Sequence, residues 1–87
     1  DPIVIDDEEV DFYKNLTQKI ISEMNKQYSF HDFKMVKGPT HTNLIFDLVV
    51  PYEKNKTSAQ ILHELRSRFS TENEAINLVV TVEHSYV

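Results

Sequence analysis

The segment Phe30–Pro51, which reads FHDFKMVKGPTHTNLIFDLVVP, decides the fold of this chain. Its first part, Phe30–Lys37, has the composition and alternation of a β-strand. Gly38-Pro39-Thr40 is a strong turn signal, because Gly and Pro interrupt regular structure. A second strand, Asn43–Val50, follows the turn and ends at Pro51. The segment therefore predicts a β-hairpin.

Successive side chains of a strand point to opposite faces of the sheet. In the first strand this rule groups His31, Phe33 and Met35 on one face and Asp32, Lys34 and Val36 on the other. One face of the second strand is entirely apolar and consists of Leu44, Phe46, Leu48 and Val50. The other face of the second strand carries Ile45, Asp47 and Val49. Because a buried unpaired carboxylate is costly, Asp47 is expected to contact water, a metal or a cation of a partner.

Two helices and a third strand accompany the hairpin. The first helix is predicted at about residues 7–27, with Asp6 as its N-cap and Glu9 at the position of a capping-box acid. The second helix begins at the capping box Thr57–Gln60 and ends near Ser70. The third strand is predicted at Asn77–Glu83, where Leu78, Val80 and Val82 alternate with Val79, Thr81 and Glu83.

The element order α-β-β-α-β predicts an α+β two-layer sandwich that resembles a ferredoxin-like fold without its first strand. The hairpin strands are antiparallel, and the strand–helix–strand crossover makes the last pair parallel, which gives a three-stranded mixed sheet. Each helix has one apolar stripe, so both helices are expected on one face of the sheet. Residues 1–87 are expected to form a single domain, with residues 1–5 as a linker.

Composition excludes several functions. The chain has 87 residues, no cysteine and a formal net charge of −5. Disulfides and thiolate metal sites are therefore absent, and binding to nucleic acid or to an anionic lipid surface is disfavoured. The single glycine, Gly38, leaves no nucleophile elbow, and no motif of a catalytic site occurs, so the chain is not predicted to be an enzyme. Because it begins with Asp1, it is expected to be part of a longer polypeptide.

No predicted helix remains to cover the second face of the sheet. By alternation that face carries Ile45, Asp47, Val49, Val79, Thr81 and Glu83. Exposed Ile and Val side chains on an open face indicate a partner, and a second copy related by a twofold axis is the commonest one. We therefore expect a homodimer with Ile45, Val49 and Val79 at its interface.

Histidine and acidic residues suggest a metal site, which requires several converging nitrogen or oxygen ligands. The four histidines are His31, His41, His63 and His84. His31 is able to converge on the sheet with Asp32, Asp47 and Glu83; the alternative is a strand-edge histidine bonded to its neighbours. The other histidines are expected on the surface. His41 lies in the turn, His63 on the second helix and His84 near the end of the chain, where chains fray.

These residues together resemble the cytoplasmic C-terminal domain of cation diffusion facilitator transporters. The resemblance rests on HDFKMV at His31–Val36, GPT at Gly38–Thr40, LIFDLVVP ending at Pro51 and VVTVE at Val79–Glu83, and it extends from about Asp6 to Tyr86. It implies a metallochaperone-like domain that forms a V-shaped homodimer and binds metal to regulate transport. It also implies a membrane domain in the same polypeptide that exchanges Zn²⁺ or a related ion for protons.

The resemblance implies metal ligands at His31, Asp47 and Glu83. His31 matches the His of the family's His-Asp pair, and Asp47 stands where many members have a mid-strand His. Glu83 matches the acid of a terminal His-x-Asp/Glu-Pro pattern, in which Thr81 replaces the His and His84 replaces the Pro. Oxygen donors in place of imidazoles suit Mn²⁺, Mg²⁺ or weak Zn²⁺ binding better than a tight nitrogen-rich site.

Two functions from different classes follow. The first is a regulatory domain of a divalent-cation efflux transporter of the zinc or manganese type, in which metal stabilises a closed dimer. The second is a dimerisation module without a metal site of its own, an alternative supported by Gln60, which replaces a helix histidine of some family members. A third possibility, an amino-acid-binding domain of similar topology, is disfavoured because a Gly-rich turn is missing.

Overall fold

The computed structural model describes residues 6–85. Within this range the elements follow the predicted order: α1 (Asp7–Met24), β1 (Ser29–Lys37), β2 (Thr42–Pro51), α2 (Ser58–Glu72) and β3 (Ile76–Ser85). The predicted linker, residues 1–5, and Tyr86 lie outside the described residues. No helix within residues 6–85 has both the length and the apolarity that crossing a membrane requires.

Side-chain caps begin both helices. The Asp6 carboxylate accepts a first-turn backbone N–H of α1 at 3.0 Å. In α2, the backbone N–H of Thr57 donates to Gln60 Oε1 at 2.8 Å and the backbone N–H of Gln60 donates to Thr57 Oγ1 at 3.2 Å, which confirms the predicted capping box. The expected capping role of Glu9 is wrong, because its carboxylate accepts from Lys37 Nζ at 2.8 Å and ties α1 to β1.

The end of α1 is set by an asparagine. Asn25 has extended backbone angles (φ −165°, ψ 128°), and its side-chain oxygen accepts from the backbone N–H of Gln27 at 2.8 Å. Such local bonding competes with the helix, which therefore ends at Met24 rather than near residue 27. Tyr28 then leads into β1; it is 3% exposed, and its hydroxyl donates to Glu53 Oε1 at 3.1 Å.

The sheet has the order β1-β2-β3, with β1 antiparallel and β3 parallel to the central β2. The predicted apolar face of β2 is confirmed: Leu44, Phe46, Leu48 and Val50 are at most 1% exposed. One core cluster joins them to residues of both helices, namely Ile20, Ile21, Ile61, Leu65 and Phe69. Both helices therefore cover the same face, which confirms the two-layer α+β sandwich.

A β-bulge interrupts β1. His31 aligns with Asp47, and the next aligned pair is Lys34 with Ile45. The chain thus advances three residues on β1 while it advances two on β2, which leaves one extra residue on β1. Asp32, inside this irregular stretch, has a φ of 57°. This value lies in the left-handed region, which Asp and Asn enter more readily than most residues other than Gly.

Because of the bulge, the side chain of His31 lies on the opposite face of the sheet from the side chains of Phe33 and Met35. Met35 is 6% exposed and faces the helices, and Phe33 packs against the same core. His31 instead aligns with Asp47 on the opposite face. The prediction that His31, Phe33 and Met35 share a face is therefore wrong, because a shift of one residue exchanges the two faces of a strand.

We call the helix-free side of the sheet the open face. It carries His31, Lys34, Val36, Ile45, Asp47, Val49, Val79, Thr81 and Glu83. The predicted positions of its β2 and β3 members are confirmed. Val79 and Val36 are its most exposed large apolar side chains, at 49% and 41%.

Candidate metal site

Three side chains from three different strands converge on the open face. His31 comes from β1, Asp47 from β2 and Glu83 from β3, and one ligand atom of each lies within 4.8 Å of the others. The register explains this arrangement, since Asp47 aligns with His31 on one side and with Thr81 on the other, and Glu83 follows Thr81 on the same face. Within residues 6–85 this is the one group of three or more such ligands.

The imidazole of His31 lies among carboxylates. Its Nδ1 is 2.9 Å from Asp32 Oδ2 and 3.6 Å from Asp47 Oδ2. Its Nε2 is 3.2 Å from Glu83 Oε2. Both ring nitrogens therefore face oxygen atoms that accept hydrogen bonds, an arrangement that favours the doubly protonated ring when no metal is bound.

The pKa of His31 is raised above its usual 6.5, first by the hydrogen bond to Asp32 and then by the one to Glu83. The pKa of Asp47 is raised above its usual 3.8, mainly because its surroundings remove water and then because Glu83 is negative. The positive charge of His31 opposes this shift. The carboxylates around the ring are those of Asp32, Asp47 and Glu83. Three formal negative charges exceed the single positive charge of a protonated histidine.

The donor set fits a divalent cation. One imidazole nitrogen and two carboxylates are ligands that Zn²⁺ accepts, and the oxygen share suits Mn²⁺ and Mg²⁺. Tetrahedral zinc ligands at a bond length of ~2.1 Å lie about 3.4 Å apart, so the ligand atoms must approach one another for binding. The side chains of His31, Asp47 and Glu83 are 48%, 28% and 45% exposed, which gives them room to rotate and gives water access as a further ligand.

The other histidines lie apart from this cluster. His41 and His63 are exposed, as predicted, and His41 Nδ1 is 3.0 Å from Thr40 Oγ1. The prediction that His84 lies at a fraying end is wrong: it belongs to β3, aligns with Val50, and its Nε2 is 3.3 Å from Ser58 Oγ.

The residues predicted at a dimer interface also lie on the open face. Ile45 and Val49 are partly exposed, and Val79 is 49% exposed. Ile45 and Val79 are aligned partners on β2 and β3, so they form a continuous apolar surface beside the acidic cluster. On β1, Val36 also lies on the open face, where it aligns with Asn43, whereas Lys34 aligns with Ile45.

Two solved structures share this fold over nearly the whole chain. One is the metal-bound C-terminal domain of the CzcD transporter from Thermotoga maritima, with a TM-score of 0.67, 14% identity and coverage of 92% of this chain and 94% of that one. The other is CzrB, a candidate zinc transporter, in its Zn form, with a TM-score of 0.68, 20% identity and coverage of 93% and 90%. Both neighbours are thus described as transporter proteins.

The chain therefore has the fold of a transporter's C-terminal domain, which confirms the predicted resemblance at the level of fold. No protein-family model matches the sequence, and no curated protein matches it significantly.

Proposed function

We propose that residues 1–87 form a single cytoplasmic domain that regulates a divalent-cation efflux transporter and dimerises. In this proposal His31, Asp47 and Glu83 bind Zn²⁺ or Mn²⁺, and the bound ion stabilises a closed homodimer. The observation that carries the proposal is the convergence of these three ligands from three strands on the helix-free face. The domain has no catalytic role in this proposal, and its other partner is a membrane domain of the same polypeptide.

The similarity of fold supports a role in transport. One neighbour is described as a metal-bound C-terminal domain and the other as a Zn form, so metal binding occurs in proteins with this architecture. This chain presents His31, Asp47 and Glu83, whose side chains are of types that bind metal ions, close together on a sheet of the same fold. Nucleic acid is a poor partner for a chain with a net charge of −5.

Charge links the metal to dimerisation. The acidic cluster and the apolar residues Ile45, Val49 and Val79 share the open face, so two copies that pair through this face bring like charges together. Repulsion between the two acidic clusters would hold this part of the two metal-free copies apart. A bound divalent ion neutralises the cluster, and it thereby shifts the population towards the closed dimer.

Zinc is expected to bind more tightly than manganese in direct competition. A given set of nitrogen and oxygen ligands binds Zn²⁺ more strongly than Mn²⁺ in the general order of divalent metals. Manganese remains a candidate in the cell, because two of the three ligands are carboxylates and metal availability decides occupancy there.

Calorimetric titration of the metal-free domain with Zn²⁺ and Mn²⁺ tests the site. We expect saturable binding that His31→Ala and Glu83→Gln weaken by more than about tenfold, since each removes one ligand of three. Glu74→Gln, at an exposed acid next to α2, is the matched control and should leave binding unchanged. Unchanged binding in both site variants would refute the proposed site.

Sedimentation and small-angle scattering test the dimer. Val79→Ser should weaken dimerisation, whereas Phe12→Ser, at a side chain that is 61% exposed on α1, should leave it intact. Scattering should show a more compact dimer when metal is bound. A protein that stays monomeric at micromolar concentration with and without metal would contradict this part of the proposal.

The second candidate is a dimerisation module that binds no metal, and one observation favours it. A protonated His31 already places a positive charge between Glu83, at 3.2 Å, and Asp47, at 3.6 Å. The imidazolium would then act as an internal counter-ion in place of a metal. This candidate predicts a stable dimer, no saturable heat of binding and identical scattering with and without Zn²⁺.

A further inference from the structure

We infer that Asp32 is a positioning residue, whose carboxylate accepts the Nδ1 proton of His31 and so assigns Nε2 as the metal-binding nitrogen. This inference rests on the proposed metal site. It adds a residue outside the three ligands and specifies which ring nitrogen binds.

The backbone at Asp32 makes this contact possible. Neighbouring side chains of a regular strand point to opposite faces, so a regular strand would separate the side chains of His31 and Asp32. The bulge removes that separation, and Asp32 at φ 57° brings its Oδ2 to 2.9 Å from His31 Nδ1. One irregularity therefore has two effects: it turns His31 onto the open face and supplies a partner for its ring.

The distances favour Asp32 over Asp47 as the partner of Nδ1. Asp32 Oδ2 is at hydrogen-bond distance, 2.9 Å, whereas Asp47 Oδ2 is at 3.6 Å. A hydrogen bond from Nδ1–H to a carboxylate fixes the tautomer and orientation of a metal-binding histidine and raises the basicity of the other nitrogen. Asp47 is then not needed as the acceptor of the Nδ1 proton.

The second ring nitrogen already faces a ligand. His31 Nε2 is 3.2 Å from Glu83 Oε2, so in the doubly protonated ring the Nε2–H donates a hydrogen bond to this carboxylate. In the neutral ring, by this inference, the one remaining proton is on Nδ1. An ion held at Nε2 would take the place of the Nε2 proton, which would pass to solvent, while the Nδ1 proton would stay on the ring and bonded to Asp32.

Two substitutions separate the carboxylate from the backbone shape. Asn and Gly both enter the left-handed region readily, so Asp32→Asn and Asp32→Gly each preserve the bulge. Asn keeps an oxygen that accepts the Nδ1 proton, but Gly has none. Asp11→Asn, at an exposed acid of α1, serves as the control for the loss of one negative charge.

The tautomer of neutral His31 is read by ¹⁵N NMR of the full chain without metal, and zinc affinity is read by calorimetry. We expect Asp32→Gly to abolish the preference for the Nδ1–H form and to weaken zinc binding about 10- to 100-fold. Asp32→Asn should keep the tautomer and most of the affinity, and Asp11→Asn should change neither.

Three outcomes would overturn the inference. Equal losses of affinity in Asp32→Asn and Asp32→Gly, with the tautomer unchanged, would make Asp32 a direct ligand. Wild-type affinity and tautomer in Asp32→Gly would reduce Asp32 to a turn residue. A wild-type ring that carries its proton on Nε2 would reverse the assignment of the nitrogens. If the parent protein binds no zinc, the proposed function fails, and the tautomer of the metal-free variants still tests the contact with Asp32.

Discussion

Successive residues of β2 point to opposite faces of the sheet, one buried under the helices and the other without a helix. Leu44, Phe46, Leu48 and Val50 face the helices and are at most 1% exposed. Ile45, Asp47 and Val49, which lie between them, are only partly buried and have no helix above them. The first face forms the core of the domain, and the second is the face for which we propose a metal site and a dimer interface. Substitutions of adjacent residues should therefore have effects of different kinds.

The largest expected effect is on stability, from Phe46→Ala. This side chain is 1% exposed and stacks on Phe33, with ring centroids 6.1 Å apart. Truncation of a buried Phe costs about 3–5 kcal/mol, a large part of the ~5–15 kcal/mol that stabilises an ordinary domain. Urea unfolding monitored by circular dichroism measures the loss. Asp47→Ala, one residue further along, is the matched control; if it destabilised the domain as much, the contrast between the faces would not hold.

Asp47→Ala should instead reduce metal affinity, by more than about tenfold, or about 1.4 kcal/mol in binding free energy. Its effect on the metal-free protein should be small, because it removes a carboxylate whose pKa is raised by loss of water and by the charge of Glu83. Calorimetry with Zn²⁺ and thermal unfolding of the metal-free variant give the two numbers. Parental metal affinity together with a lower melting temperature would show that Asp47 is purely structural.

The sequence was most informative where one strong local signal agreed with the packing. Alternation in β2 is unambiguous because every second residue is a large apolar one, and the Thr57–Gln60 capping box is a local motif whose bonds need no distant partner. Together with element order these features were enough to predict the sheet, the position of both helices and the helix-free face.

The bulge was the feature that sequence reasoning missed. Asp32 is neither Gly nor next to Gly, so nothing in the pattern marked a left-handed residue inside a strand. A bulge is a property of the pairing between two strands, and pairing depends on residues distant in sequence. The candidate cluster was nevertheless predicted, because the sequence offered His31, Asp32, Asp47 and Glu83 as converging groups and the resemblance to a family implied ligands at His31, Asp47 and Glu83, although alternation grouped His31 with Phe33 and Met35.

Tyr28 is a titratable residue on the helix-covered side of the sheet. Burial, followed by its hydrogen bond to Glu53, raises the pKa of Tyr28 to about 12. Above pH 10 the unfolded chain loses the phenolic proton while the folded chain keeps it, so stability falls between pH 10 and about 12, by at most about 1.4 kcal/mol per pH unit.

Tyr28→Phe should remove this part of the alkaline slope. At neutral pH it should cost only about 1 kcal/mol, the usual value of one hydrogen bond. Urea unfolding at several pH values from neutral to 12 measures both. An unchanged alkaline slope in Tyr28→Phe would show that burial of this hydroxyl does not control its ionisation.

His31 is a titratable residue on the open face. Its ionisation is expected to have the smallest effect on stability, and its pKa shift has a different cause from that of Tyr28. Hydrogen bonds to Asp32 and Glu83, rather than burial, raise its pKa above 6.5. A raised histidine pKa contributes stability that is fully present below 6.5 and is lost as the pH rises through the folded value. The metal-free domain should therefore be slightly more stable at about pH 6 than at about pH 8, and His31→Gln should reduce that difference.

NMR titration of the His31 ring gives its pKa directly, and Asp32→Gly should lower this pKa. A His31 pKa below 6.5 in the parent protein would mean that the carboxylates around the ring do not hold it protonated, and the internal counter-ion would be lost as an alternative to metal.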